Sequence, residues 1–194
     1  MNIDNFDLIQ NILEFRNEDD FYFLQIIKRK KEHPELGSNN YVLRTYCIRS
    51  VEHLENKKDE IIDLCTTHNA RAYINPNRRS FENIALHTLK KVTDIILNKD
   101  YKSARKAYES VCGKYHNEPN KKWIIDMDGC SIMDDVVFLV IEDIQMNNGN
   151  LIASIPTKNG IHLITSPFRL DKFKYNKMYD VHKNNPTILF CLQN

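Results

Sequence analysis

Two aspartates, one residue apart, end an apolar run in the C-terminal part of the chain. The run spans residues 123–128, and Asp126 and Asp128 are separated by Met127. Because residues i and i+2 of a strand point to the same face, the two carboxylates are expected to project together. Adjacent carboxylates repel each other unless a proton or a cation neutralises them. Hard divalent cations prefer such oxygen ligands, so the pair predicts metal-assisted phosphoryl transfer.

A histidine and a third aspartate follow on two later segments. His162 stands in a second apolar run, directly after a turn-forming stretch, 156–160, that contains Thr157 and a glycine. Asp180 opens a short segment, Asp-Val-His, near the C-terminus. Together with the aspartate pair, these residues outline a phosphoryl-transfer site, for which positioned charges are the main requirement.

The segments that carry these residues are predicted as short strands around one helix. Ser131 and Asp134 have the spacing of a capping box, which predicts a helix that ends near Met146. Turn-forming residues between the strands predict two hairpins. One is formed by the strands at 151–155 and 161–164, and the other by the strands at 179–182 and 187–192. The predicted strands cover residues 122–127, 151–155, 161–164, 179–182 and 187–192.

The N-terminal part, residues 1–118, alternates between helical and strand-like patterns. Asp4, Ser50 and Ser80 are placed to cap three helices, and a fourth, polar helix is predicted near 102–111. Strands are predicted at 21–30, 41–48 and 70–74. Helices combined with antiparallel strands indicate the α+β class. Because no linker or repeat divides the chain, we expect a single domain, 1–194, whose part 119–194 carries the motifs.

Composition is compatible with this interpretation. The chain has 194 residues with 42% hydrophobic content, enough to bury a core, and a formal net charge of +1. Residues 1–20 carry six acids and one arginine, whereas residues 158–183 carry six basic residues and two acids. A basic stretch beside an acidic metal site suits a polyanionic substrate. A solvated charged surface is the alternative interpretation.

The five cysteines are scattered and form no Cys-x-x-Cys pair. No signal peptide or long apolar span is evident, so a reduced, soluble, cytoplasmic protein is expected. Cys112, His116 and Cys130 have a spacing that would allow three zinc ligands, but a fourth is not evident. The sequence therefore favours buried or unpaired thiols.

The order of the three motifs resembles that of the archaeo-eukaryotic primase superfamily, the primase-polymerases. Members of this family have Asp-hydrophobic-Asp on a strand, a histidine reached through a Ser/Thr- and Gly-containing turn, and a hydrophobic-Asp pair on a late strand. The resemblance covers residues 120–194, and His162 follows Asp126 by 36 residues. The family commonly has a serine before the histidine, and Gly160 stands at the corresponding place two residues before His162.

The resemblance implies a fold, an activity and a role for each motif residue. The implied fold is an RRM-like antiparallel catalytic sheet with an N-terminal α/β part, and the implied activity is that of a DNA primase or polymerase. Its partners would be a single-stranded DNA template, nucleoside triphosphates and a helicase or other replication protein. Two Mg²⁺ or Mn²⁺ ions would be held by Asp126, Asp128 and Asp180. The incoming nucleotide would be held by Lys158, Asn159, Gly160, His162 and Lys183, and template phosphates by Arg71, Arg78 and Arg79.

Two alternatives stay open. The run Asp126-Met127-Asp128-Gly129 also resembles the opening motif of haloacid-dehalogenase-type phosphatases, in which Asp126 would be the nucleophile and Asp128 the acid/base. That family needs several parallel βα units after the motif, and only 66 residues follow Asp128, with hairpin-like patterns. A non-catalytic RRM-like nucleic-acid-binding module is the other alternative, with Phe21–Phe23 as its nearest approach to a stacking signature.

The Asn- and Lys-rich composition would suit a phage or mobile element.

Overall fold

The computed structural model describes residues 2–37, 39–115 and 119–193. It combines α-helices with two antiparallel sheets, so the expected α+β class is confirmed at this level. The helices are α1 (Phe6–Gln10), α2 (Val51–Asn56), α3 (Lys58–His68), α4 (Phe81–Leu97), α5 (Ala107–Lys114) and α6 (Asp135–Met146). The strands are β1 (Ile3–Asp4), β2 (Asp20–Lys28), β3 (Tyr41–Ile48), β4 (Arg71–Ile74), β5 (Arg79–Ser80), β6 (Trp123–Asp128), β7 (Leu151–Pro156), β8 (Gly160–Thr165), β9 (Asp180–His182) and β10 (Thr187–Cys191).

The first sheet has the strand order β1-β10-β4-β2-β3, and β5 pairs with the start of β2. Strand β2 is apolar on both faces because each face meets a different core. Tyr22, Leu24 and Ile26 belong to a large cluster that includes residues of α1, α2 and α3, whereas Phe21 and Phe23 pack with residues of α4 and α5. A strand covered on both sides reads as a continuous apolar run, as β2 does.

The second sheet has the order β7-β8-β6-β9, and α6 covers one of its faces. Alternate residues of the central strands divide between two environments. Ile125 and Met127 of β6 pack in the same cluster as Val137, Val140 and Ile144 of α6. The other face contributes Ile124, Ile155 and Ile164 to the core of the first sheet. The second sheet therefore lies between α6 and the first sheet.

The hairpin predicted from residues 179–182 and 187–192 is wrong. Strand β9 pairs with β6 in the second sheet, whereas β10 pairs with β1 and β4 in the first. All five residues of β10 are buried. Both of its edges are paired within the larger sheet, one with β1 and one with β4, which leaves no edge for β9. Asn184, between the two strands, donates to the carbonyls of Gly113 and Lys114 and so anchors the connection on the N-terminal part.

Two of the four predicted helix caps are confirmed. The N-cap of α1 is Asn5 rather than Asp4, and that of α6 is Asp134 rather than Ser131. Ser50 Oγ accepts from the His53 N–H at 2.9 Å, and Ser80 Oγ accepts from the Asn83 N–H at 3.1 Å, as predicted. The helix expected after Ser50 divides at Lys57 into α2 and α3. The polar helix expected near 102–111 is a 3-10 segment, Tyr101–Lys106, followed by α5. Among the described helices, none is both long and apolar enough to cross a membrane.

Gly160, the first residue of β8, lies opposite Asp128 in an unusually close approach of two backbones. A Cβ atom at Gly160 would lie 2.1 Å from the Met127 carbonyl oxygen and 2.9 Å from the Asp128 Cα. The turn that follows β6 is held against the start of β8, because the Gly129 N–H donates to the Asn159 carbonyl at 2.6 Å. Only a residue without a side chain fits here, so Gly160 fixes where Asp128 stands.

We expect Gly160→Ala to lower the free energy of unfolding by about 2 kcal/mol or more, because the added methyl displaces strand backbone. Gly113→Ala is the matched control, since a Cβ there meets nothing within 4 Å and alanine favours the helix by up to about 1 kcal/mol. Urea denaturation of both variants measures the difference. Equal stability of the two variants would contradict the close approach.

Candidate active site

Asp126 stands at the centre of one face of the second sheet. It lies directly opposite His162 on β8 and directly opposite Asp180 on β9. Directly opposed residues of antiparallel strands place their side chains on the same face, about 4.5–5.5 Å apart at Cβ. Asp128 shares that face because it is two residues further along β6. The register thus brings together the three aspartates and the histidine that the motifs single out.

This face borders a cleft of about 650 Å³ between the two sheets. Asp126, Asp128 and His162 line it from the second sheet. From the other side it is lined by basic residues of β4 and of the connection after β2, namely Arg29, Lys31 and Arg71. Asp126 and Asp128 therefore face three basic side chains across the cleft, while Glu32 lies on the basic side and Lys158 on the acidic side. Such a cleft can hold a cation on one wall and an anion on the other.

A short chain of contacts joins Asp126 to the first sheet. His162 Nε2 lies 3.4 Å from Asp126 Oδ1, and His162 Nδ1 lies 2.9 Å from Thr187 Oγ1. Thr187 is fully buried at the start of β10. Its hydroxyl holds the imidazole ring with Nε2 toward the carboxylate. Sequence reasoning missed Thr187, because its proximity to His162 depends on the pairing of β10 in the other sheet.

Asp126 is held in its ionised form by its surroundings. The hydrogen bond with His162 lowers the pKa of this carboxyl group and outweighs burial, which raises it. The charges of His162, His182 and Arg29 lower the pKa further. An ionised carboxylate is the form that binds a cation.

A second group of charges crosses the cleft. Glu32, in the connection after β2, accepts from Arg71 through both of its carboxylate oxygens, with Arg71 Nε at 3.0 Å from Oε2. Lys158, in the turn between β7 and β8, lies 3.2 Å from Glu32 Oε1. Burial raises the pKa of Glu32, but Arg71 and Lys158 together bring it below its ordinary value. Glu32 cannot be recognised as a site residue from the sequence, since nothing local distinguishes it among neighbouring lysines.

Of the other residues expected at the nucleotide, Asn159 lines the cleft and Lys183 does not. The Lys183 ammonium lies 4.9 Å from the centre of the Trp123 ring. Trp123 packs against the cluster on the α6 side of the second sheet, where its ring meets Phe168 edge to face. Lys183 therefore lies toward the opposite face of the sheet from His162.

The three arginines expected at the template have different environments. Arg71 lines the cleft. Arg78 pairs with Asp20 at 3.1 Å, and both side chains are 7% exposed. Arg79 is fully buried, its Nε donates to the Cys112 carbonyl at 2.9 Å, and burial lowers its pKa to about 10. Arg78 and Arg79 are thus occupied within the fold, which argues against contacts of either with template phosphates.

All five cysteines are free thiols, and none forms a disulfide with another. Cys112 is buried with residues of β2 and α4, whereas Cys130 packs against the cluster beneath α6 and lies 3.6 Å from the Tyr179 hydroxyl. His116, the remaining residue of the suggested zinc site, lies outside the described residues.

Within the described ranges, no three His, Cys, Asp or Glu side chains are assembled as a ready-made metal site. Asp126, Asp128 and Asp180 share a face, but Asp128 and Asp180 are exposed. Their oxygen donors fit Mg²⁺ or Mn²⁺, which are bound through a few carboxylates together with water and substrate phosphates.

Thr187→Val is expected to lower the free energy of unfolding by about 1–2 kcal/mol, because it leaves the buried side of His162 without a hydrogen bond. Thr165→Val is the matched control: Thr165 is equally buried, but no partner for its hydroxyl is found in the described part of the chain. We expect the control to be neutral or stabilising. Thermal and urea unfolding compare the two, and a neutral Thr187→Val would contradict the role of this hydroxyl.

The lowered pKa of Glu32 predicts a pH dependence. A carboxyl whose pKa falls on folding stabilises the protein above its ordinary pKa, near 4.5, and loses this effect as pH falls through the lowered value. Glu32→Gln should therefore cost about 1 kcal/mol at pH 7, a screened value for partly exposed charges. The cost should shrink below pH 4.5. A cost that is independent of pH between 7 and 3.5 would show that ion pairing is not its cause.

Comparison of the chain with protein-family models, with curated proteins and with solved structures found no match.

Proposed function

We propose that the protein is a template-directed nucleotidyltransferase, a primase or primase-polymerase that uses two divalent metal ions. The observation that carries the proposal is the register of β6, in which Asp126 lies between His162 and Asp180, with Asp128 on the same face of the sheet. Of these residues, Asp126, Asp128 and His162 line the cleft. The motif order that resembles the primase-polymerases thus coincides with a spatial grouping of the same residues. The proposed site requires both the order of the motifs along the chain and a shared face for their side chains, and the chain has both.

Asp126, Asp128 and Asp180 are the residues that would hold Mg²⁺ or Mn²⁺. Ions held there would supply charge stabilisation for the attacking 3′-hydroxyl and the departing pyrophosphate. The carboxylates are placed for this by strand pairing rather than by loops, which favours precise geometry. His162 is fixed between Asp126 and Thr187, and the same ring stands at the edge of the space where a nucleotide would bind.

Basic residues from both sides of the cleft would take the triphosphate. Arg71 and Lys158 lie on the two sheets and approach the same point from opposite sides. Guanidinium and ammonium groups are the donors that proteins use for phosphate oxygens. Transfer of a nucleotidyl group depends mainly on positioning and electrostatics, so two opposed charged walls are the principal requirement.

The pairing of β6 speaks against the phosphatase alternative. In the part of the chain that the structure describes, β6 pairs antiparallel with both neighbours. The haloacid-dehalogenase motif is expected on a strand of a parallel sheet with βα units after it. Here α6 is followed by the antiparallel pair β7 and β8. The aspartate pair is therefore better explained as metal ligands than as nucleophile and acid.

Incubation with single-stranded DNA, labelled nucleotides and Mg²⁺ or Mn²⁺, with and without a primer, tests the proposal. We expect template-dependent products, and a loss of at least about 100-fold in rate for Asp126→Asn and Asp180→Asn, because each removes a metal ligand. Asp171→Asn is the matched control, an exposed aspartate in the short 3-10 segment Leu170–Lys172. The lane without primer separates initiation from extension.

Products that persist undiminished in Asp126→Asn would contradict the assigned site. Hydrolysis of a phosphate monoester without nucleotide incorporation would support the phosphatase instead. Template binding with neither activity would support a non-catalytic binding module.

A further inference from the structure

Glu32 links the two walls of the cleft in a way that the proposed chemistry does not require. It belongs to the connection between β2 and β3, and it contacts Arg71 on β4 and Lys158 in the turn between β7 and β8. Lys158 is 126 residues away in the chain, so the contact exists only through the packing of the two sheets. The side chains of Arg71, Glu32 and Lys158 are 10%, 24% and 27% exposed, respectively.

The geometry around Glu32 is that of an anion site. Arg71 donates from Nε to one carboxylate oxygen and from Nη2 to the other, the paired arrangement that guanidinium groups form with carboxylates and phosphates alike. Lys158 adds a third donor on the Nη2-bound oxygen. Two cations from different sheets thus converge on one anionic group inside a 650 Å³ cleft.

We propose that Arg71 and Lys158 form a subsite for the phosphate groups of the ligand, and that Glu32 occupies this subsite in the unliganded protein. The identity of the ligand, the polyphosphate tail of a nucleoside triphosphate, rests on the proposed function. When a phosphate binds, the Glu32 carboxylate must leave both cations. Glu32 therefore competes with the ligand, and its competition lowers the apparent affinity.

The competition gives an expectation opposite to that of a purely structural ion pair. If Glu32 only braced the cleft, its loss would loosen Arg71 and Lys158 and would weaken phosphate binding or leave it unchanged. If Glu32 is a competitor, its loss frees both cations and strengthens binding. The sign of the change in affinity separates the two roles.

Calorimetric titration of the 194-residue chain with sodium tripolyphosphate, without metal, template or nucleotide, measures the sign of this change in affinity. We expect Glu32→Gln to bind tripolyphosphate about tenfold more tightly than wild type, which corresponds to about 1.4 kcal/mol. Glu35→Gln is the matched control. It removes the same charge from the same connection, at a residue that contacts His33. We expect its affinity to stay within about twofold of wild type, a change of about 0.4 kcal/mol.

Two further variants complete the test. Glu32→Asp keeps the charge but shortens the reach to Lys158, so a smaller gain than that of Glu32→Gln is expected, and it serves as the readout if Glu32→Gln folds poorly. The double variant Glu32→Gln/Lys158→Ala should lose the gain. Unchanged or weaker binding by folded Glu32→Gln would overturn the inference, and so would an equal gain in Glu35→Gln.

The outcome is distinguishable from that of the polymerase assay. Tighter tripolyphosphate binding by Glu32→Gln without nucleotide incorporation by wild type would keep the phosphate subsite and reject the polymerase. Incorporation by wild type without tighter binding by Glu32→Gln would keep the polymerase and reject the competitor role of Glu32.

Discussion

Strand pairing around β6 forces three negative charges onto one surface. Asp126, Asp128 and Asp180 would separate if they were free to do so, but β6 is held between β8 and β9 by backbone hydrogen bonds, and its other face is buried against α6. A one-residue slip would place Ile125 and Met127 in the cleft and the carboxylates in an apolar core. The apolar face thus fixes the register, and the register fixes the site. His162 partly offsets the repulsion among the three carboxylates, because it lowers the pKa of Asp126.

The cleft depends on both sheets because each contributes charged residues and one half of the supports. β10 comes from the end of the chain but lies in the first sheet, where Thr187 supports His162 of the second. Glu32 and Arg71 of the first sheet meet Lys158 of the second in the same way. Relative movement of the sheets would therefore disturb the acidic and the basic residues of the cleft together. A ligand that contacts both groups would hold the two sheets in place.

Sequence reasoning succeeded where local patterns decide the structure. The alternation of apolar and acidic residues in β6 gave the shared face of Asp126 and Asp128, and the caps of α2 and α4 were read from single serines. It failed where distant packing decides. The pairing of β10 and the partners of Thr187 and Glu32 depend on how the two sheets pack, and Arg79 looked like a surface cation because a sequence does not show that its donors are satisfied inside the fold.

The most direct test of the metal site is anomalous diffraction from crystals grown with Mn²⁺ and a non-hydrolysable nucleoside triphosphate. The expected result is one or two manganese peaks within about 2.0–2.6 Å of carboxylate oxygens of Asp126, Asp128 and Asp180, the range of oxygen distances to hard divalent cations. Triphosphate density should extend from these peaks toward Lys158 and Arg71. A nucleotide bound without manganese at these carboxylates, or manganese bound elsewhere on the chain, would contradict the assignment.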